Sequence, residues 1–337
     1  MVSLKDIASA CGVSIATVSK AINDHSDISI TTKERILQTA KEMGYFPNSQ
    51  ARALKTNRTY NIGLLFVEEP GKGFAQEFFA KIISAFKNAC EKAGYDITFI
   101  NKGFGKQKMS SYEHCKYRNV DGILLTLGDF TDPDVYEIVN SDIPSVTIDH
   151  IFDNTTAIMS SNEIGVEKLV DFVHNKGHKK IAYISGHKAT VTDRRLLGFH
   201  KACEKRNIEI NPKWLLKGDF HNPKVAYDLT KKLLSQKDRP TCMFMPDDYS
   251  AIGGMNAIRD LGLSVPEDVS LVGFDGISYT QLMRPKLTTY LQDTETIGKK
   301  AAERMISLIE KPEKTFPEVI TVDGWLLEGE SVKNLKK

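Results

Sequence analysis

From Ile62 onward, short apolar runs alternate with amphipathic stretches of helical period, and this alternation constrains the fold more than any other feature of the 337-residue chain. The runs Ile62–Val67, Ile97–Asn101, Gly122–Leu127, Val146–Asp149, Ile181–Ser185, Thr241–Met245, Ser270–Phe274 and Thr288–Leu291 read as strands. Between them Phe78–Lys92, Glu163–Asn175, Arg194–Lys205, Ala226–Leu234, Tyr249–Leu261 and Thr296–Ile309 read as helices. Buried strands in strict alternation with helices form parallel sheets covered on both faces. There are too many units for one lobe, and the pattern restarts near Glu163. The expected body is therefore an α/β core of two Rossmann-like lobes over residues 60–330, with a cleft between them. Crossings are expected near Asn162, Leu291 and Ile320. They give one lobe of about 60–162 and 292–320 and a second of about 163–291 and 321–330.

The first sixty residues have a different grammar. Ser3 and Asp6 have capping-box spacing and open a helix over Leu4–Ala10 that Gly12 ends. Ser14 caps a second helix, Ile15–Ile22, with Val18 and Ile22 on its inner face. Thr31 and Glu34 suggest a third capping box, opening a helix that carries Ile36, Leu37, Ala40 and Met43 inward and stops at Gly44. The first two helices are joined by about three residues, which is helix-turn-helix geometry. Such a head places the N-terminal, outward side chains of its second helix against base edges in the major groove. Those are Ile15, Ala16 and Lys20, with the hydroxyls of Ser14, Thr17 and Ser19 suited to phosphate oxygens. Residues 1–60 hold eight Lys/Arg and five Asp/Glu against 37 and 38 in the rest, so the excess positive charge sits on the head. A three-helix bundle that binds protein fits the same pattern.

The run Leu4-Lys-Asp-Ile-Ala-Ser-Ala-Cys-Gly-Val-Ser-Ile-Ala-Thr-Val-Ser-Lys-Ala-Ile-Asn23 decides between them. Followed by Met43-Gly-Tyr-Phe-Pro-Asn48 and Ala51-Arg-Ala-Leu-Lys-Thr56, it resembles the opening of a lactose-repressor (LacI/GalR) family regulator, and the resemblance continues along nearly the whole chain. It implies an all-α DNA-binding head over residues 1–58, a hinge helix at 48–56 and a periplasmic-binding-protein-like effector core. The DNA-binding set it implies is Ser14, Ile15, Ala16, Thr17, Ser19, Lys20, Asn23, Leu54 and Lys55. A nine-residue segment is too short to hold as an isolated helix. The resemblance implies that its twin in a second subunit orders it, with Leu54 wedged into the operator's minor groove.

In open α/β sheets ligands sit off the carboxyl ends of the strands. That rule nominates Glu68, Asp149, His150, Gly186, Asp247 and Asp275. The segments Val146–Asp149, Arg195–Phe199, Gly218–Phe220 and Val272–Asp275 resemble the family's effector-contact motifs. The resemblance therefore implies Asp149, Arg195, Phe220 and Asp275; with Phe79, which opens the first helix of the body, as an apolar wall and Asp247 from the strand-end rule, these six are the expected effector set. Where the family usually has Asn-Asp, this chain has Pro246-Asp247-Asp248. A carbohydrate is the effector class the family implies, and a homodimer or dimer of dimers is the assembly.

Catalytic and metal chemistry find no support. Gly71-x-Gly73 and Gly103-x-Gly105 lack the third glycine of a dinucleotide loop. His174 and His178 have ligand spacing, but Gly177 should end the helix between them. Five scattered cysteines without a Cys-x-x-Cys pair read as reduced thiols. The expected protein is thus no enzyme, needs no cofactor, lacks a signal peptide or membrane span, and works in the cytoplasm. A sugar-transport binding protein and a sugar-processing α/β enzyme are the alternatives. Both leave the head unexplained.

Overall fold

A computed structural model of the chain describes residues 2–46, 58–66, 77–103, 108–126 and 130–336. It divides into two units, Met1–Thr59 and Tyr60–Lys337. In the first unit α1 (Leu4–Cys11) is opened by the Ser3–Asp6 capping box and closed by Gly12 at φ 63°. Next come α2 (Ile15–Ile22), capped by Ser14, and α3 (Ile30–Glu42). Ile7, Ala8, Cys11, Val18, Ala21, Ile36 and Ala40 form the core of the unit. Two expectations are corrected. The third helix starts under Ser29, whose Oγ accepts from the Thr32 N–H, so Thr31 lies inside the helix rather than capping it. Leu37 is 42% exposed because Ile36 and Ala40, at i, i+4 spacing, take the buried face.

The larger unit opens with β1 (Asn61–Phe66), α4 (Glu77–Lys92), β2 (Asp96–Ile100), α5 (Ser111–Arg118), β3 (Gly122–Thr126), α6 (Pro133–Val139), β4 (Ser145–Ile148) and β5 (Thr156–Ser160). It continues with α7 (Asn162–Asn175), β6 (Ile181–Ser185), α8 (Thr190–Lys205), β7 (Leu215–Lys217), α9 (Pro223–Leu234), β8 (Cys242–Phe244) and α10 (Asp248–Asp260). The rest is β9 (Ser270–Asp275), α11 (Ser278–Leu282), β10 (Thr288–Leu291), α12 (Thr294–Glu310), β11 (Val319–Val322) and β12 (Trp325–Leu327). One sheet has the order β11-β5-β4-β3-β1-β2 and the other β12-β10-β9-β8-β6-β7. Every pairing is parallel except β10 with β12. Both sheets therefore repeat one doubly wound order, whose reversals fall between β1 and β3 and between β6 and β8.

The lobes are joined at Ser161, at Gln292–Asp293 and at Asp323–Gly324. The third crossing lies beyond the expected Ile320 because β11 runs to Val322, pairing with β5. The second lobe also extends past residue 330. The Ser331 hydroxyl donates to the Leu271 carbonyl at 2.5 Å, and the Leu335 N–H to the Lys176 carbonyl at 2.7 Å. Ser161 hydrogen-bonds the Asp323 carboxylate, tying the first crossing to the third, and the Gly324 N–H donates to the Tyr290 hydroxyl at 2.7 Å. No described helix is long and apolar enough to cross a membrane.

Candidate functional sites: a helix face on the head and a cleft in the core

On the head, Val18 packs inward, and this turns Ile15, Ala16 and Lys20 outward. Ile15 is 49% exposed, an unpartnered apolar side chain beside a helix N-terminus. Ser14 Oγ accepts from the Thr17 N–H at 3.1 Å and bonds Thr17 Oγ1 at 2.8 Å, so the two hydroxyls pre-orient each other. Asn23 Nδ2 donates to the Ser19 carbonyl at 2.6 Å and closes the helix. Lys20 is paired with Asp27, whose carboxyl that pair holds below its ordinary range. Leu54 and Lys55 lie outside the described residues.

In the core, a cavity of about 140 Å³ opens between the lobes at the carboxyl ends of the strands. Phe79, Asp149, Arg195, Phe220 and Asp275, expected from the sequence, all line it. His150 lines it too, its ring stacked on Phe130 at 4.1 Å and 7°. Arg195 is buried and held on two edges of its guanidinium. Its Nε donates to Asn162 Oδ1 and its Nη1 to the Pro246 carbonyl, both at 2.7 Å, while the guanidinium lies 3.6 Å over the Phe274 ring. Its Nη2 stands 3.9 Å from Asp275, and His221 Nε2 stands 3.8 Å from it. Both are too long for hydrogen bonds. Among the described residues, the one side chain that donates directly to Asp275 is Gln292, at 2.6 Å.

Asp247 is the correction. It does not line the cavity, because its carboxylate caps α10, accepting from the Ser250 N–H at 2.8 Å and Ser250 Oγ at 2.9 Å. A buried carboxylate one residue before a helix is drawn to the helix's own unsatisfied N–H groups. Its second oxygen accepts from the His221 N–H at 2.8 Å, so Asp247 acts on the cavity only through His221. Neighbouring Asp248 is likewise internal. It accepts from the N–H groups of Gly276 and Ile277 at 3.0 and 2.9 Å and so holds the loop behind Asp275.

Sequence reasoning missed Phe78, Phe130, His187, Thr190, His221 and Gln292, which also line the cavity. The strand-end rule, applied to every strand, reaches His187 after β6, His221 after β7 and Gln292 after β10. The three-residue β7 carried too weak a pattern to be read. Glu68, nominated by the same rule, lies outside the described residues, and Gly186 does not line the cavity because the Phe220 ring packs against its Cα. His174 and His178 share no helix face. His178 lies past Gly177, its ring nitrogens 2.9 Å from Thr241 Oγ1 and 3.0 Å from the Lys333 carbonyl.

Three non-glycine cavity residues adopt positive φ: Asp149 at 56°, His221 at 52° and Asp275 at 116°. Strained backbone of this kind persists where the surroundings over-determine it, and it concentrates at binding sites. Burial raises the Asp149 carboxyl above its ordinary range, outweighing the Ser160 N–H and Arg195, and burial raises Asp275 as well. Burial disfavours the charged His221 ring, but the Asp247 and Asp275 carboxylates outweigh it and raise its proton affinity. A carboxyl raised by folding stabilises the fold when protonated and loses that contribution as pH climbs from its ordinary value of 3.8 through the raised one. Asp149→Asn keeps the acceptor for the Ser160 N–H, and asparagine tolerates this backbone. Its melting temperature relative to the parent is therefore expected to rise from pH 4.5 to pH 8 in the unligated protein. A difference that is flat or falls with pH would refute the burial argument.

Comparison with known proteins agrees with this geometry. Residues 3–48 match the bacterial regulatory proteins of the lacI family, and residues 170–332 match a periplasmic binding protein-like domain. The chain is 32% identical over 335 residues to the HTH-type transcriptional repressor PurR of Vibrio vulnificus, covering 96% of this chain and 98% of the relative. The lac repressor dimer bound to operator and the anti-inducer ONPF is similar with a TM-score of 0.80 at 25% identity, over 98% of this chain and 99% of that one. The regulator CelR in complex with cellobiose is similar with a TM-score of 0.72 at 25% identity, over 98% and 100%. A transport protein or an enzyme would not match in the head and the core together. The chain belongs to the lacI family of bacterial regulatory proteins: it is a DNA-binding transcription regulator with an effector-binding core, and not an enzyme.

Proposed function

We propose that this regulator is a repressor, acting in the cytoplasm, that grips a two-fold operator as a homodimer or dimer of dimers and is gated by a small carbohydrate. The observation that carries the effector reading is the trio Asp149, Arg195 and Asp275, the last two buried and the first half-buried, beneath aromatic walls. Sugar hydroxyls donate and accept at once, so they can bridge carboxylates and a guanidinium by charge-assisted bonds. Phe79 and Phe220 supply the apolar surface that a sugar ring's C–H face needs. The cellobiose complex of CelR supports the same class. A nucleobase is the second reading, favoured by the flat Phe130–His150 stack. A thermal-shift screen of the full chain against sugars and nucleobases tests both. Stabilisation by sugars alone supports the first, by bases alone the second, and by neither overturns both.

Contacts between the lobes flank the cavity. His150 Nδ1 lies 3.4 Å from Thr190 Oγ1, and Glu77 accepts from Ser278 Oγ at 2.6 Å. An effector that binds one lobe arrangement better than the other shifts the population towards it, and with it the affinity for operator.

On DNA, the head reads bases through Ile15, Ala16 and Lys20. Lys20 exchanges Asp27 for a base edge or phosphate. Lys20→Ala is expected to change sequence preference. Ser14→Ala removes a cap worth about 1 kcal/mol and should weaken every sequence alike. Fluorescence anisotropy on an operator and its base-substituted variants separates these outcomes. The assembly should need two half-sites about one helical turn, or a multiple, apart. With about 6–10 phosphate contacts, affinity should fall roughly 10³–10⁵-fold between 50 and 200 mM salt. A monomer on DNA, or a flat salt response, contradicts the proposal.

A further inference from the structure

Behind Asp275 the chain turns through three consecutive backbone N–H groups, and two carboxylates from different lobes share them. Asp248, of the same lobe, accepts from Gly276 and Ile277 at 3.0 and 2.9 Å. Glu77, the first residue of α4 in the other lobe, accepts from Ser278. The Ser278 N–H lies 3.0 and 2.9 Å from the two carboxylate oxygens, and its Oγ lies 2.6 Å from one of them. Ser278 opens α11, a five-residue helix whose own cap position is Ile277, which has no side-chain acceptor to offer. The cap arrives instead from across the cleft. Lys81, one turn further along α4, steadies the Glu77 carboxylate at 2.5 Å, and the Glu77 N–H donates to the Tyr249 hydroxyl of the second lobe at 3.4 Å. Burial pushes the Glu77 carboxyl up, but Lys81 and Ser278 outweigh it and hold it below its ordinary range, so at neutral pH it only accepts. Both ends of the contact adjoin the cavity: Phe78 and Phe79 follow Glu77, and Asp275 stands three residues before Ser278.

We infer that Glu77 is a cross-lobe positioning residue: its carboxylate completes the bracing of the loop behind Asp275, so the effector meets a preset Asp275 only in this lobe arrangement. The inference rests on the cleft being the effector site. Asp275 and Gly276 both have positive φ, 116° and 74°. A non-glycine residue keeps such a conformation only where its surroundings over-determine it. Asp248 belongs to the same lobe as Asp275, so its bonds survive any change between the lobes. The Ser278 bonds do not. When the lobes part, the Ser278 N–H turns to water and the loop keeps one carboxylate brace of two. Lobe arrangement and effector affinity are thereby coupled through one contact, and the coupling acts in both directions.

Hydrogen exchange on the unligated full chain reads the brace directly. Peptides covering residues 275–282 should exchange about tenfold faster in Glu77→Ala than in the parent, the scale of one charge-assisted hydrogen bond, while those of α8 stay unchanged. Glu77→Gln keeps an acceptor for the Ser278 N–H and should restore most of the protection. Calorimetry with the tightest of D-glucose, D-galactose, D-ribose, cellobiose, adenine and hypoxanthine then reads the positioning. Glu77→Ala is expected to weaken that probe by about fivefold or more, and Glu77→Gln by less than about twofold. A cap that only stabilised α11 would speed exchange and leave the probe's affinity as it was. If Glu77→Ala melts early in the unligated state, Ser278→Ala, which loses only the hydroxyl bond, takes its place. Parent-like exchange, or faster exchange with parent-like affinity, overturns the inference, and if Arg195→Ala still loses the probe the cleft stands. If Arg195→Ala binds normally, or no probe binds the parent, the reading of the cleft falls and takes the inference with it.

Discussion

Arg195→Ala is expected to weaken effector binding by about 2–5 kcal/mol, roughly 30-fold or more, while operator affinity without effector stays near that of the parent. The guanidinium is the central cation of the cleft, buried and stacked on Phe274, with Asp275 3.9 Å away. Truncating it leaves two raised carboxyls, Asp149 and Asp275, facing each other's field without it. A polar ligand entering that site loses its cationic donor and meets carboxyls pushed further towards their protonated form. The variant also frees Asn162 Oδ1 and the Pro246 carbonyl, so its unligated core should melt earlier. Asp275→Asn separates the two effects. It keeps an acceptor for Gln292 and the shape of the site but removes the charge, and it should lose ligand without a comparable loss of stability. Calorimetry on both variants decides the matter, and parent-like affinity in both would remove the pair from the effector site.

Leu54→Ala carries the second large effect, on the DNA side. The segment Ala51-Arg-Ala-Leu-Lys-Thr56 sets one large apolar residue among basic and polar neighbours. In the proposed repressor that leucine enters the operator's minor groove beside its twin. Losing it removes both a buried leucine and the wedge that holds a base step open. Specific affinity should fall by about 2 kcal/mol or more, roughly 30-fold. Non-specific binding is mostly phosphate electrostatics and should hardly move. Filter binding on operator and on random duplex gives the two numbers. Equal losses on both would show that Leu54 supports the fold of the protein and not the reading of DNA.

The head was legible because its information is local. Caps at Ser3 and Ser14, the stop at Gly12 and the i, i+4 burial pattern depend on residues within one or two turns. The one misplaced cap, Thr31 for Ser29, chose between two hydroxyls two residues apart, and inward packing of Ile36 and Ala40 settled it. The strand–helix alternation also sufficed for two lobes, since a buried parallel strand announces itself as an apolar run. β7 and β12, three residues each, and β5, with Thr156 and Ser160 at its ends, announced nothing. They are strands because a neighbouring strand offers them a ladder, and no local pattern records that offer. The cleft divides in the same way. Asp149 and Asp275 stood out as charges at strand ends and Arg195 through the family resemblance, but Asp247 looked equivalent to the two aspartates and caps a helix instead. Whether a carboxylate faces a ligand or a helix terminus depends on which N–H groups arrive from elsewhere in the chain. His221 and Gln292 enter the site only because the sheet sets the ends of β7 and β10 on the same edge as that of β9, so a glutamine between a strand and a helix is unremarkable in sequence. In the fold its nitrogen faces Asp275 and its oxygen has no partner. The sequence by itself determined the helices, the longer apolar strands, the charges and the family; tertiary structure decided the short strands, which polar groups were already satisfied and which were left facing the cleft.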